Sequence, residues 1–75
     1  MEELVTYLAR SLVDNPDEVT VTRTERDGAT VFELRVAEPD VGKVIGRQGR
    51  IARALRTVVR AGGRGARRQQ LEIVD

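Results

Sequence analysis

The sequence contains no cysteine and no histidine among its 75 residues. The absence of cysteine excludes a disulfide, a thiolate metal site and a thiol nucleophile. The absence of histidine removes the commonest general base and a common metal ligand. We therefore interpret the protein as a non-enzyme, and we expect no catalytic residue, no metal, no cofactor and no small-molecule substrate.

Long apolar runs are also absent, since none approaches the roughly 20 residues that a membrane-spanning helix needs. The first residues, Met1-Glu2-Glu3, are acidic rather than basic, which disfavours a signal peptide. We therefore expect a cytoplasmic protein without membrane association. The length suits one small domain with one modest core, and no repeat or linker divides residues 1–75.

The charges are unevenly distributed, although the net charge is only +1. Residues 1–40 carry a net charge of −6, whereas residues 41–70 carry +9 and contain no acidic side chain. An arginine-bearing helix face that pairs with the acidic first half would explain two or three such charges. Nine cations without an intervening acid favour a polyanionic partner instead. They are Lys43, Arg47, Arg50, Arg53, Arg56, Arg60, Arg64, Arg67 and Arg68.

The first half of the chain predicts one helix and two strands. Apolar residues at helical spacing indicate a helix over about residues 2–13. Two segments with alternating β-branched residues, 19–24 and 30–36, predict strands. Residues 25–28 between them are expected to form the turn, and the Asp27-Gly28 pair is typical of an antiparallel hairpin.

The second half predicts two helices and a third strand. Asp40 is expected to cap a short helix that begins at Val41. A longer helix runs over about residues 50–61, and residues 71–74 form the last strand. Because this strand follows a two-helix crossover, it should lie parallel to the second strand. The predicted fold is α+β in the order α-β-β-α-α-β, a three-stranded mixed sheet covered on one face by three helices.

The segment Gly46-Arg47-Gln48-Gly49, between the two later helices, has features that favour phosphate binding. Glycine adopts positive φ at little steric cost, and its bare backbone lets another chain approach. Arg47 and Gln48 are too polar to be buried unpaired, so they should point outward. A helix N-terminus lies directly behind, where exposed N–H groups attract phosphate. The segment lacks the lysine-serine/threonine end of a nucleotide-binding P-loop. We therefore predict that it grips the backbone of a single-stranded nucleic acid.

These residues resemble a known family. Ile45-Gly46-Arg47-Gln48-Gly49 between two helices is similar to the GXXG signature of KH domains, and the element order is similar to the type II, bacterial arrangement of that fold. Asp14-Asn15-Pro16, Gly42-Lys43-Val44-Ile45-Gly46 and Leu71-Glu72-Ile73-Val74 resemble the small bacterial single-KH proteins of the KhpA (YlqC) family. The resemblance runs nearly from end to end of the chain.

The resemblance implies an RNA-binding protein in which residues 46–49 clamp the backbone of about four nucleotides. It also implies a homodimer, a heterodimer with a KH protein of the KhpB/Jag type, and a role as a post-transcriptional regulator or RNA chaperone. Val44 and Ile45 are candidate walls of a groove for bases. The predicted RNA-binding residues are Lys43, Ile45, Gly46, Arg47, Gln48, Gly49, Arg50 and Arg53. The sequence leaves open whether Arg56, Arg60, Arg64, Arg67 and Arg68 touch RNA.

The scarcity of aromatic residues limits how RNA is bound. Phe32 is expected in the core and Tyr7 half-buried at its edge, so neither supplies a stacking platform. Affinity should therefore come mainly from phosphate contacts, which makes it sensitive to salt and weakly specific for sequence.

Two alternative functions remain open. A DNA-binding helix-turn-helix would use residues 50–61 as its recognition helix, although the helix before it is very short and the domain contains a sheet. A protein–protein docking module is the second alternative, because the apolar arc of this helix is wider than the roughly 100° that a core face needs. Ala54, Val58 and Ala61 are the candidate contacts.

Overall fold

The computed structural model describes residues 1–62 and 68–74 of the chain. The helices and strands occur in the predicted order α-β-β-α-α-β. Within the described residues no helix combines the length and the apolar character needed to cross a lipid bilayer. The elements are α1 (Glu2–Leu12), β1 (Thr20–Arg26), β2 (Ala29–Arg35), α2 (Val41–Ile45), α3 (Arg50–Ala61) and β3 (Arg68–Val74).

The described strands form one mixed sheet in which β2 lies between β1 and β3. β1 pairs with β2 in antiparallel orientation, and β3 pairs with β2 in parallel orientation. The hairpin turn consists of Asp27 and Gly28, whose φ angles are 50° and 78°. Two consecutive positive φ angles are the geometry that an Asp-Gly pair favours in a tight hairpin. The parallel return of the last strand is confirmed.

Two strand boundaries differ from the prediction by more than one residue. Glu25 and Arg26 belong to β1 rather than to the turn, because a two-residue turn lets pairing continue to Arg26 opposite Ala29. β3 begins at Arg68 rather than at Leu71, since its backbone already pairs with β2 there. The residues that precede Leu71 are polar, so hydrophobic alternation gave no signal for the start of this strand.

The core lies between one face of the sheet and the helices. Phe32 and Leu34 from β2 are fully buried at its centre, so the expected position of Phe32 is confirmed. α1 packs against β1 and β2, α3 packs against β3, and α2 packs against α3. Each large apolar side chain buried here contributes roughly 1.5–3 kcal/mol to stability. The buried cluster comprises Val5, Ala9, Val19, Phe32, Leu34, Val44, Leu55, Val59 and Leu71.

Tyr7 is more exposed than predicted. Its side chain is 68% accessible, because it lies on α1 away from the buried Val5 and Ala9. Together with Val21 of β1 it borders a shallow groove of about 320 Å³. Tyr7 therefore belongs to the surface of the molecule and not to the edge of its core.

Asp40 does not cap α2 with its side chain, so this part of the prediction is wrong. It occupies the N-cap position, but its carboxylate makes no capping hydrogen bond. Asp40 is only 1% exposed. Its carboxylate instead accepts hydrogen bonds from Asp14 and Asn15. The backbone N–H of Asp14 donates at 3.3 Å, the backbone N–H of Asn15 at 3.0 Å and its Nδ2 at 3.0 Å. The α1–β1 connection supplies these donors, so the carboxylate is bonded to that connection and not to the amides of α2.

The pKa of Asp40 reflects this environment. Burial alone would raise it, but the hydrogen bonds from Asn15 and Asp14, together with the nearby Lys43 ammonium, lower the pKa below its ordinary value of 3.8. The ionised carboxylate is therefore the form that joins the α1–β1 connection to the start of α2.

Replacing Asp40 with alanine should lower the melting temperature at neutral pH, because two backbone donors and one side-chain donor lose their acceptor. Since the folded-state pKa is lowered, this stabilisation is complete above the ordinary pKa of 3.8 and is lost as the pH falls through the lower folded value. The difference in the free energy of unfolding between wild type and Asp40→Ala should therefore shrink on acidification. Urea denaturation at a series of pH values measures it.

Asp17→Ala is a suitable control, because Asp17 is an exposed carboxylate on a neighbouring 3₁₀ turn. Replacing it should change the free energy of unfolding much less than replacing Asp40 does. If the Asp40→Ala difference stayed constant from neutral pH to well below 3.8, the ionised carboxylate would not be the stabilising form.

Candidate nucleic-acid interface

The residues Gly46-Arg47-Gln48-Gly49, here called the glycine loop, connect the end of α2 to the start of α3. Gly46, Gln48 and Gly49 have positive φ angles of 76°, 56° and 73°. The N–H of Gly46 donates to the carbonyl of Gly42 at 2.8 Å, and the N–H of Gly49 donates to the carbonyl of Gly46 at 3.2 Å. The loop is therefore a hydrogen-bonded turn with a left-handed backbone.

The two glycines are required for different reasons. A Cβ added to Gly46 would lie 2.6 Å from Cγ1 of Ile51, so this position needs glycine for space as well as for its φ. A Cβ on Gly49 would meet nothing within 4 Å, so only the backbone conformation favours glycine there. Gly46 thus lets Ile51 pack beneath the loop, while the space beside Gly49 is open.

The predicted polar contacts of the loop lie at the surface. Arg47, Gln48, Arg50 and Arg53 are all exposed. Arg53 donates from Nη2 to the backbone carbonyl of Gln48 at 2.9 Å, and Arg50 donates from Nη2 to Oε1 of Gln48 at 3.4 Å. The structure therefore brings two of the predicted site residues, Arg50 and Arg53, against a third, Gln48.

The two groove-wall candidates have different environments. Val44 is completely buried in the core, whereas Ile45 is 38% exposed and directly precedes the glycine loop. Val44 therefore holds α2 against the rest of the domain. Ile45 presents apolar surface beside the loop, where the face of a base could rest.

Lys43 is ion-paired within the protein. Its Nζ lies 2.6 Å from Oδ2 of Asp14, and both side chains are substantially exposed. The hydrogen bond to Asp14 and the negative charge of Asp14 raise the pKa of Lys43. Burial lowers this pKa to a smaller extent, and the charge of Asp40 makes the smallest contribution, which raises it. An exposed pair of this kind contributes little to stability. A phosphate that used Lys43 would compete with Asp14 for it.

Sequence reasoning missed Asp14 and Asp40 as neighbours of the site. Asp14 contacts Lys43 from 29 residues away, and Asp40 reaches Asn15 across 25 residues. The only signal was the Asp14-Asn15-Pro16 sequence after α1, which contributed to the family resemblance. No local periodicity connects it to residue 40 or residue 43.

The arginines outside the predicted RNA-binding set do not lie on one common element. Arg56 and Arg60 are exposed on α3 and Arg68 is exposed on β3, whereas Arg64 and Arg67 lie outside the described residues. Ion pairs among the described residues join Arg23 to Glu25, Arg26 to Glu33 and Glu72, and Lys43 to Asp14. None of these pairs involves an arginine of α3. The charge of this helix therefore faces solvent.

Comparison with known proteins identifies close relatives along the whole chain. A family model described as "KhpA/KhpB, KH domain" matches residues 2–73. The chain is 56% identical to the RNA-binding protein KhpA of Treponema pallidum, over 99% of this chain and 94% of that protein. It is 51% identical to the RNA-binding protein KhpA of Streptomyces coelicolor, over 100% of this chain and 92% of that protein. No solved structure gives a significant match.

Replacing Gly46 with alanine should destabilise the fold more than replacing Gly49. Both alanines must adopt positive φ, which costs about 1–2 kcal/mol, but only the Cβ at position 46 would collide with Ile51. Urea denaturation followed by circular dichroism measures both losses. Gly28→Ala is the control, because Gly28 has a φ of 78° and open space around its Cβ position. Equal losses at all three positions would contradict a steric requirement at Gly46.

Proposed function

Because this chain belongs to the KhpA/KhpB family of KH domains, a family of RNA-binding proteins rather than enzymes, we propose that it binds single-stranded RNA through the glycine loop. The observation that carries the proposal is the left-handed turn at Gly46, Gln48 and Gly49. This turn places two exposed polar side chains, Arg47 and Gln48, immediately before the N-terminus of α3. The whole chain, residues 1–75, then acts as one KH domain.

Backbone donors of α3 supply part of the proposed phosphate site. The first N–H groups of a helix have no partner within the helix, and together they form the positive end of its dipole. Among the described residues no side chain caps the N-terminus of α3, and its first turn contains no acidic residue. The N–H of Arg50 already donates to the carbonyl of Arg47, so a phosphate oxygen would accept hydrogen bonds from the N–H groups that follow it in the first turn, while the Arg47 side chain approaches from the loop.

The proposed contacts predict a binding mode dominated by the RNA backbone. Phe32 is buried and Tyr7 lies on α1, so the described part of the interface offers no aromatic platform beside the loop. Ile45 supplies a small apolar surface for a base, and Lys43 and Arg50 add positive charge around it, while Arg53 contacts the loop backbone at Gln48. Binding of this type is weakly specific for sequence and weakens as salt concentration rises.

We also propose that the protein works in the cytoplasm as a homodimer, or as a heterodimer with a KhpB/Jag-type KH protein. The family description that names KhpA and KhpB together supports such pairing. Val58, which is 37% exposed on α3, offers apolar surface for a docking contact. Two linked sites would bind one RNA more tightly than a single site does. This arrangement suits a post-transcriptional regulator or an RNA chaperone.

The helix-turn-helix alternative is disfavoured by the geometry. α2 has only five residues, Val41–Ile45, and α3 packs against β3 of the sheet. A competition between single-stranded RNA and duplex DNA for the same labelled RNA complex separates the alternatives. The proposal requires single-stranded RNA to be the better competitor, whereas stronger competition by duplex DNA would favour a helix-turn-helix.

Changing Arg47 and Gln48 together to aspartate should weaken RNA binding by about tenfold or more, because one cation becomes an anion and a second anion is added at the phosphate site. The melting temperature should change little, since both side chains are exposed. Fluorescence anisotropy with a labelled single-stranded RNA of mixed sequence, at low ionic strength, measures the affinity.

The matched control changes Arg10 and Ser11 to aspartate, which alters the charge by the same amount on exposed residues of α1. This variant should lose much less affinity. Equal losses in the two double variants would mean that overall charge, and not the glycine loop, determines binding.

A further inference from the structure

We propose that Arg53 is a positioning residue, which holds the glycine loop in its binding conformation through the backbone of Gln48. The inference rests on the function proposed for this loop. It assigns Arg53 a role that its positive charge alone does not predict.

Gln48 has an unfavourable backbone conformation for its residue type. Its φ and ψ angles are 56° and 26°, in the left-handed region where a side chain meets its own backbone carbonyl. Glycine avoids this penalty, and asparagine tolerates the region better than glutamine does. Such a conformation persists only where neighbouring groups stabilise it.

The Arg53 guanidinium provides that stabilisation. Its Nη2 donates to the Gln48 carbonyl at 2.9 Å, the length typical of a hydrogen bond from a charged donor. Arg50 reaches the side-chain oxygen of the same residue at 3.4 Å, a longer and weaker contact. Of these two arginines, only Arg53 contacts the backbone carbonyl of Gln48.

The carbonyl direction controls the rest of the turn. In a trans peptide the C=O of Gln48 and the N–H of Gly49 point in opposite directions. When Arg53 holds this carbonyl towards α3, the N–H of Gly49 points into the loop, where it donates to the carbonyl of Gly46 at 3.2 Å. Arg53 thereby fixes which backbone groups face inward and which remain available to a ligand.

Arg53→Met tests this role, with Arg56→Met as the matched control. Methionine keeps a long, unbranched side chain but removes the charge and the donors. Arg56 is exposed on the same helix and loses the same charge when replaced. In the free protein, Arg53→Met should shift the amide signals of Gln48 and Gly49 and speed hydrogen exchange at the Gly49 N–H. Arg56→Met should leave both signals unchanged.

Binding of the same labelled single-stranded RNA, measured over a range of salt concentrations, separates positioning from phosphate contact. A positioning role predicts that Arg53→Met weakens binding by about tenfold at every salt concentration. The reason is that a smaller fraction of the molecules has the loop in its binding conformation. The slope of log Kd against log salt should match that of wild type. A direct phosphate contact would instead reduce the slope by about 0.7, and the loss of affinity would diminish as salt rises.

The same substitution in a second variant, Gln48→Asn, strengthens the test. In Gln48→Asn protein the left-handed conformation is intrinsically more favourable, so adding Arg53→Met should cause a smaller further loss than it causes in wild type. An equal further loss, unchanged Gly49 exchange, or a reduced salt slope would each overturn the proposal. If wild-type protein binds no RNA at low ionic strength, the proposed function fails. The amide data on the free protein would still decide whether Arg53 holds the loop.

Discussion

The left-handed backbone between α2 and α3 is the constraint on which the rest of the site depends. Three of the four loop residues, Gly46, Gln48 and Gly49, have positive φ, so the chain leaves one helix and enters the next within four residues. The turn brings the start of α3 to the surface and leaves no room for a side chain between Gly46 and Ile51. The exposed start of α3, the nearby cation Arg47 and the open space beside Gly49 are all consequences of this one turn.

Tertiary contacts, and not helix propensity, hold the loop in place. An isolated helix of five residues is unstable in water, because forming its first turn fixes several residues for a single hydrogen bond. α2 is stabilised from two directions: Val44 is buried in the core, and the carboxylate of Asp40 accepts hydrogen bonds from the α1–β1 connection. The exposed pair of Lys43 with Asp14 adds little. The connection after α1 is distant in sequence from the site, but it determines where the glycine loop lies.

The parts of this structure that could be predicted from sequence are those that a local pattern encodes. Glycine positions and apolar spacing were sufficient to predict α2 from Val41 and α3 over residues 50–61, and the Asp27-Gly28 pair was sufficient for the hairpin. The partners of Asp40 could not be predicted, because a capping residue and a buried acceptor for distant amides look identical in sequence. The contact of Arg53 with the Gln48 carbonyl could not be predicted either, because the spacing of Arg53 on the helix indicates only an exposed cation. RNA contact by the residues around the loop remains a prediction.

The separation of charge in this chain has different consequences for stability and for binding. Surface ion pairs add little stability, whereas unpaired charges on one helix can act over a long range. Ion pairs on the sheet, such as those of Arg26 with Glu33 and Glu72, are partly exposed and add little stability. Leaving the arginines of α3 outside these pairs therefore costs the fold little, while their combined field can attract a polyanion from a distance. A field of this kind cannot fix the position of a nucleic-acid strand along the protein, because the field decays smoothly across the surface. Directed donors at a rigid turn can do so. Under the proposed function, the arginines of α3 supply the field and the constrained glycine loop before them supplies the directed donors.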